Sequence, residues 1–343
     1  MTGAGIATVA RQEFRLRIRA GRWKVLLGVF FAILLAFTAL LRAGLGQLAS
    51  DELPYKGTIL YGGLMLFVLG LALLVVPALA AQSVNGDRER GTLATLQVTR
   101  LTAADITLGK FAAAWGTALV FLALTFPLVA YAMTQGGVPL GRVLVVTTVL
   151  ALLLGTVCAV SLWLSSVLSR TTTSGVLAYL AVFALTIGTL ITFGILSAVT
   201  TETYTASVGG ANCFPACDPG PQQTYTATRA RTDRTWVLLA PNPFVVLADA
   251  APQLPDERRG VNDRNQIRAR DLDPLGQIGR VVRDLRETRL GEGPVQTDAV
   301  SEPDPVWPTG LAINVVLGAG ALWLTTRRLR TPSRKLPKGQ RVA

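Results

Sequence analysis

Six apolar runs organise this chain: residues 25–41, 59–81, 111–133, 143–168, 175–199 and 310–326. A helix needs about 20 mostly apolar residues to cross the hydrocarbon of a bilayer. Soluble core helices seldom stay uncharged that long, so the runs predict six transmembrane helices. Gly70, Pro77, Pro127 and Gly155 sit inside them. Such residues are tolerated in lipid because neighbouring helices satisfy the freed backbone groups. The expected fold class is therefore an all-α integral membrane protein. It has an N-terminal interfacial helix and a long extracellular loop between the last two spans.

The polar stretches fix the expected orientation. The leader carries Arg11, Arg15, Arg17, Arg19, Arg22 and Lys24, and the loop after the second run carries Arg88, Arg90, Arg100 and Lys110. Arg170 follows the fourth run, and Arg327, Arg328, Arg330, Arg334, Lys335, Lys338 and Arg341 follow the sixth. With six spans these segments share one side, while the short opposite loops hold only Arg42, Lys56 and Arg142. Lys and Arg accumulate on the cytoplasmic side, so both termini are expected there, with the chain in the plasma membrane. In the leader, residues 1–24, Ile6, Ala10, Phe14 and Ile18 recur every fourth position beside a stripe of Arg11, Arg15, Arg19 and Arg22. That pattern predicts a helix lying in the anionic headgroup layer. The leader is long for the basic region of a secretory signal, and no clear small-x-small cleavage site precedes a soluble domain.

The domain organisation follows. Residues 25–199 hold the first five spans, with a cytoplasmic loop at 82–110. Residues 200–308 form the outer loop, 309–326 the sixth span and 327–343 a basic tail. Within the outer loop, 200–234 reads as irregular. Cys213 and Cys217 lie there, and an oxidising exterior would permit a local disulfide between them. Residues 236–251 are apolar but broken by Pro241-Asn242-Pro243, too short to span, and read as a re-entrant or interfacial segment capping the outer end of the bundle. Residues 256–292 alternate Arg with Asp and Glu; Leu275, Ile278, Val281, Val282 and Leu285 are spaced as on a helix.

Composition narrows the chemistry. Half of the 343 residues are hydrophobic and 16% are charged, against roughly 25% charged in an average soluble domain. Mean hydropathy is +0.44. The net charge of +12 would suit nucleic acid, but membrane topology accounts for where the charges fall. There is no histidine, which removes imidazole-dependent hydrolases and metallopeptidases. The span interiors lack Asp, Glu, Lys and Arg, so there is no intramembrane carboxylate pair and no acidic group for ion coupling. No G-x-x-x-x-G-K-[ST] phosphate loop is present. The chain is expected to be no enzyme and to bind no cofactor or metal of its own.

Residues 82–110 carry the most specific pattern. A charged cluster, Asp87, Arg88, Glu89 and Arg90, precedes Gly91-Thr92-Leu93; Leu96 and Asp105 follow, and Gly109-Lys110 enters the third apolar run. A short helix from residue 92 to 98 would present Leu93 and Leu96, with Gly91 permitting a sharp entry turn and the charged cluster forming a polar rim. This loop resembles that of the permease subunit of type-2 ABC transporters (the ABC-2 family). The basic leader, six spans and a large final outer segment with an Asn-Pro pair are similar to that family as well. The chain departs at Thr99-Arg100, where many members carry Thr-Pro. The resemblance implies a coupling helix that docks on a separate ATPase subunit, with ATP bound by that partner. It implies coupling roles for Asp87, Arg88, Glu89, Arg90, Gly91, Thr92, Leu93 and Leu96, and a second permease copy or paralogue alongside. Small polar Ser161, Ser165, Thr186 and Thr189 among apolar residues suit a pathway for a lipophilic or amphiphilic compound, which favours an exporter. The alternative is a membrane scaffold or assembly factor without a pathway.

Overall fold

The structure is a computed structural model. It describes residues 2–19, 21–48, 55–89, 91, 101–208, 211–213, 217–219, 223–252, 254, 272–286 and 304–330. Six helices are long and apolar enough to cross a membrane: Trp23–Gln47, Lys56–Glu89, Ala103–Thr134, Leu140–Val167, Thr171–Val199 and Trp307–Arg330. These are spans 1 to 6, and each contains one apolar run. The protein is an all-α multi-pass membrane protein.

Ahead of span 1 lies α1 (Gly3–Arg19). Span 1 is α2 (Gly21–Leu48). Span 2 is α3 (Lys56–Ala80), followed by a turn and the one-turn helix α4 (Asn85–Glu89). Span 3 is α5 (Ala103–Ala123) and α6 (Phe126–Thr134), span 4 is α7 (Leu140–Val167), and span 5 is α8 (Thr171–Phe183), a π turn (Ala184–Gly188) and α9 (Thr189–Val199). A crown follows: strands β1 (Thr201–Val208), β2 (Ala211–Cys213), β3 (Cys217–Pro219) and β4 (Gln223–Ala230), then α10 (Thr232–Thr235), a 3₁₀ turn (Trp236–Leu238), α11 (Pro243–Ala250) and α12 (Pro274–Arg286). Span 6 is α13 (Trp307–Arg330). Its far end returns to the base of the bundle, where Leu322 and Leu329 pack on Val84 and Leu162.

Spans 2, 3 and 4 form the centre, each with at least half of its most apolar window buried, whereas span 1 has 17% buried and span 5 has 11%. In lipid there is little hydrophobic gain from pressing one apolar helix on another, so close packing and internal hydrogen bonds decide which faces meet. Span 1 meets span 2 where Leu41 fills the space a Cβ on Gly63 would take, and Phe37 stacks on Phe67 at 4.0 Å. Spans 3 and 4 are tied by the Trp115 indole, which donates to the Ala151 carbonyl at 2.8 Å. Span 3 breaks just before Pro127, which has no N–H to donate; the Thr125 hydroxyl donates to the Leu122 carbonyl at 2.7 Å there.

One expectation changes. Residues 200–234 read as irregular because they are polar, yet β1 and β4 pair along eight residues each in an antiparallel ribbon. The signal was in the chain: both segments are rich in alternating Thr and Tyr, which suit a pleated ribbon better than a coil. The short β2–β3 pair sets Cys213 opposite Cys217 along the backbone; their side chains, and with them the disulfide, lie outside the described residues. In α1, the face against span 3 is not the apolar Ile6-Ala10-Phe14-Ile18 row. It runs through Gly5, Val9, Glu13 and Arg17, while Ile18 is 44% exposed. Partners on α5 for the two charged side chains turn the helix this way.

Candidate coupling site

The base of the bundle is built around Lys110. This residue opens the apolar part of span 3, and the expectation for a lysine there is to reach outward to water. Instead it is 1% exposed. Its Nζ donates to Glu13 Oε1 at 2.5 Å, to the Ser83 carbonyl at 2.9 Å and to Asp87 Oδ2. Three segments far apart in sequence thus meet on one ammonium: α1, the turn after span 2, and span 3. Burying a cation costs several kcal/mol unless it is paired and fully hydrogen-bonded; two carboxylates and a carbonyl meet that condition here.

The rest of α1 is fastened to α5 by contacts that advance together along both helices. The Thr2 backbone N–H donates to Asp105 Oδ1 at 3.0 Å. Asp105 also closes the capping box of α5, accepting from the Thr102 N–H and hydroxyl at 3.1 and 2.7 Å while its own N–H donates back to Thr102. Val9 sits where Gly109 has no side chain; a Cβ there would lie 2.6 Å from the Val9 Cβ. Farther on, Arg17 Nη1 donates to Thr117 Oγ1 at 2.9 Å and to the Ala113 carbonyl at 3.4 Å. Burial pulls the Arg17 guanidinium below its ordinary value.

The turn carrying Asp87 is held equally well to spans 4 and 5. The Val84 and Asn85 N–H groups donate to Ser165 Oγ at 3.2 and 3.1 Å. Asn85 Nδ2 reaches the Arg170 carbonyl at 3.4 Å, and Arg88 Nη1 the Leu168 carbonyl at 3.3 Å. Glu89 Oε1 accepts from the Thr171 N–H at 3.1 Å. A carboxylate there satisfies a free donor at the start of α8 and complements its dipole. Gly91 then turns the chain out of α4 at φ +69°, its N–H donating to the Arg88 carbonyl at 3.2 Å; only glycine adopts that geometry without steric cost.

The predicted coupling residues therefore divide. Asp87 was expected in a polar rim facing a partner; it is 8% exposed and held by Lys110, because the buried ammonium needs it. Arg88 is half-buried and Glu89 exposed, both bound to the ends of spans 4 and 5. Arg90, Thr92, Leu93 and Leu96 lie outside the described residues. Sequence reasoning missed Glu13 and Thr171, and placed Ser165 on a pathway, not on this turn. A lone acid in an arginine-rich leader was the available signal for Glu13; a threonine among many carried none.

At the opposite end, α11 is packed among the spans, with Val246, Leu247, Ala248 and Ala250 at most 1% exposed. Asn242 caps it, its Oδ1 accepting from the Phe244 N–H at 2.9 Å, while its Nδ2 donates to the Thr186 carbonyl at 2.7 Å and to Thr189 Oγ1 at 2.9 Å. Thr186 lies in the π turn of span 5; the Asn242 amide gives its carbonyl a partner. Such turns recur at functional sites. Asp249, fully buried, accepts from Arg283 Nε at 2.5 Å and from the Val306 and Trp307 N–H groups at 2.6 and 2.8 Å at the start of span 6. Gly310 admits the Ala240 carbonyl, 2.1 Å from where a Cβ would sit. Of the small polar residues expected to line a pathway, Ser165 holds the basal turn and Thr186 and Thr189 hold Asn242. Ser161 is buried.

A buried charge node joins a leader helix, the loop after span 2 and the mouth of span 3. The family model described as ABC-2 family transporter protein matches residues 7–242, from within α1 to the cap of α11. The chain belongs to that family. A search of curated proteins gives no match. The protein is thus a membrane permease of an ABC transporter, and its matched region contains the whole Lys110 node and the π turn. The remainder of the permease, α11, α12 and span 6, lies past the matched region.

Proposed function

We propose that the permease exports a lipophilic or amphiphilic compound, driven by a separate ATPase subunit that binds ATP and docks on residues 90–98. Family membership over residues 7–242 carries this reading. The geometry supports it mechanically. The segment entering the docking region is bonded to α1 and to spans 3, 4 and 5 through Lys110, Ser165, Leu168 and Thr171. A push on that segment acts on several spans at once instead of being lost in a loose loop. Two permease copies, or this chain and a paralogue, pair through the barely buried spans 1 and 5. The assembly lies in the plasma membrane with both termini and the Lys110 node on the cytoplasmic side, and the 236–251 segment re-enters the bilayer from outside.

Copurification tests the docking. A tagged chain solubilised in detergent is expected to bring down an ATPase, and Leu93→Asp to abolish that without changing the yield of the permease. Full copurification by the variant would overturn the docking assignment; accessibility of residues 86–104 to an impermeant label from outside would overturn the sidedness.

A further inference from the structure

We propose that α1 carries a binding site for the phosphate headgroup of an anionic phospholipid, formed by Arg11, Arg15 and Arg19 with Thr8 and Gln12. The three arginines follow one another every fourth residue and are exposed on the side of α1 opposite span 3. With Thr8, Gln12 and Leu16 they line a groove along the helix. Positions four apart lie about one turn from each other on one face, close enough for neighbouring guanidinium groups to share one phosphate. None of the three makes an ion pair within the described residues. The one acid on α1, Glu13, is turned inward to Lys110, so nothing on the helix offsets the outward charge.

The position along span 3 selects the ligand. α1 and α5 run in the same direction, with Thr2 at Asp105, Val9 at Gly109 and Arg17 at Thr117. The chain of α5 is mixed up to Lys110 and apolar from Phe111 onward. Arg11 therefore lies where hydrocarbon begins, and Arg15 and Arg19 lie beside the first two turns of the apolar segment, from which long arginine side chains reach back to the phosphate layer. Beside the arginines, Leu16 is 63% exposed and Ile18 44%. A free phosphate has no use for those side chains; a phospholipid lays its acyl chains over them. Because the opposite face of the same helix supplies Glu13 to the Lys110 node, lipid occupancy would hold α1 in the position that completes the node. The inference rests on the membrane placement proposed above, but not on export or on ATPase docking.

The test uses the full purified chain without an ATPase, with binding of phosphatidylglycerol and phosphatidylcholine measured by native mass spectrometry. Three arginines in the headgroup layer give an expected preference of about a hundredfold for the anionic lipid. R11Q/R15Q/R19Q is expected to fall below about tenfold on the same basis. Lysine at the same three positions keeps the charge and is expected to keep most of the preference. An undiminished preference in the glutamine variant overturns the site. Loss in the lysine variant as well shows that the fold was disturbed and also overturns it. Displacement of bound phosphatidylglycerol by millimolar inorganic phosphate overturns the lipid as ligand.

Discussion

Lys110→Met removes the cation on which three segments converge while leaving an unbranched side chain of similar length. The Glu13 and Asp87 carboxylates then lose the ammonium to which both are bonded. Removing one partner of a buried pair costs about 3–5 kcal/mol. Here the carboxylates keep some solvent, with side-chain exposures of 20% and 12%. Screening lowers the expectation to about 2–3 kcal/mol, below the range for a fully buried pair. The loss falls on the docking of α1, because Glu13 is its link to the node. Val9, 3% exposed against Gly109, reports that docking. In a background with Cys158, Cys213 and Cys217 replaced, Val9→Cys is reached by a maleimide only when α1 lifts away. Since about 1.4 kcal/mol is a factor of ten, Lys110→Met is expected to speed labelling by about 30- to 150-fold. Adding Glu13→Gln and Asp87→Asn removes the two carboxylates that lost the ammonium and recovers most of the protection. Labelling within threefold of the Val9→Cys parent, a margin of about 0.7 kcal/mol, would refute the argument that this ammonium holds α1.

Two further outcomes follow from the crown. Asn242→Ala removes one of two donors to the Thr186 carbonyl, leaving Thr189 Oγ1, and uncaps α11, at an expected cost of about 2 kcal/mol; it should melt below wild type in detergent, whereas Thr192→Ala, at an exposed hydroxyl, should not. Asp273 gives a pH effect: burial raises its carboxyl above the ordinary 3.8, and its Oδ2 has no hydrogen-bond partner among the described residues. The unfolded chain therefore loses this proton first, so stability falls as pH rises from about 3.8 to the raised folded value; melting scans should show that slope, and Asp273→Asn should flatten it.

How much could be read without the structure differs from element to element. The six spans were legible because lipid imposes a one-dimensional rule: a segment must be apolar for its whole length, whatever it packs against. Residues 82–110 were legible as a unit because local chemistry marks them, with Gly91 at a forced turn and a charged cluster at the end of α4. The β1–β4 ribbon was legible too, in its alternating Thr and Tyr, but polarity spoke louder.

What the chain alone determined, then, is which segments enter the membrane, where glycine and proline must bend them, and to which family the pattern belongs. Tertiary structure decided which charges are exposed and which are buried. Asp87 and Glu89 are two residues apart in one short helix, yet one is sealed against Lys110 and the other rests on the start of span 5. Glu13 and Arg17 look like any surface residues of a basic leader until span 3 presents Lys110 and Thr117 to them. The reason is physical: an ionised group settles where a partner and low solvent exposure coincide, and that depends on residues about a hundred positions away.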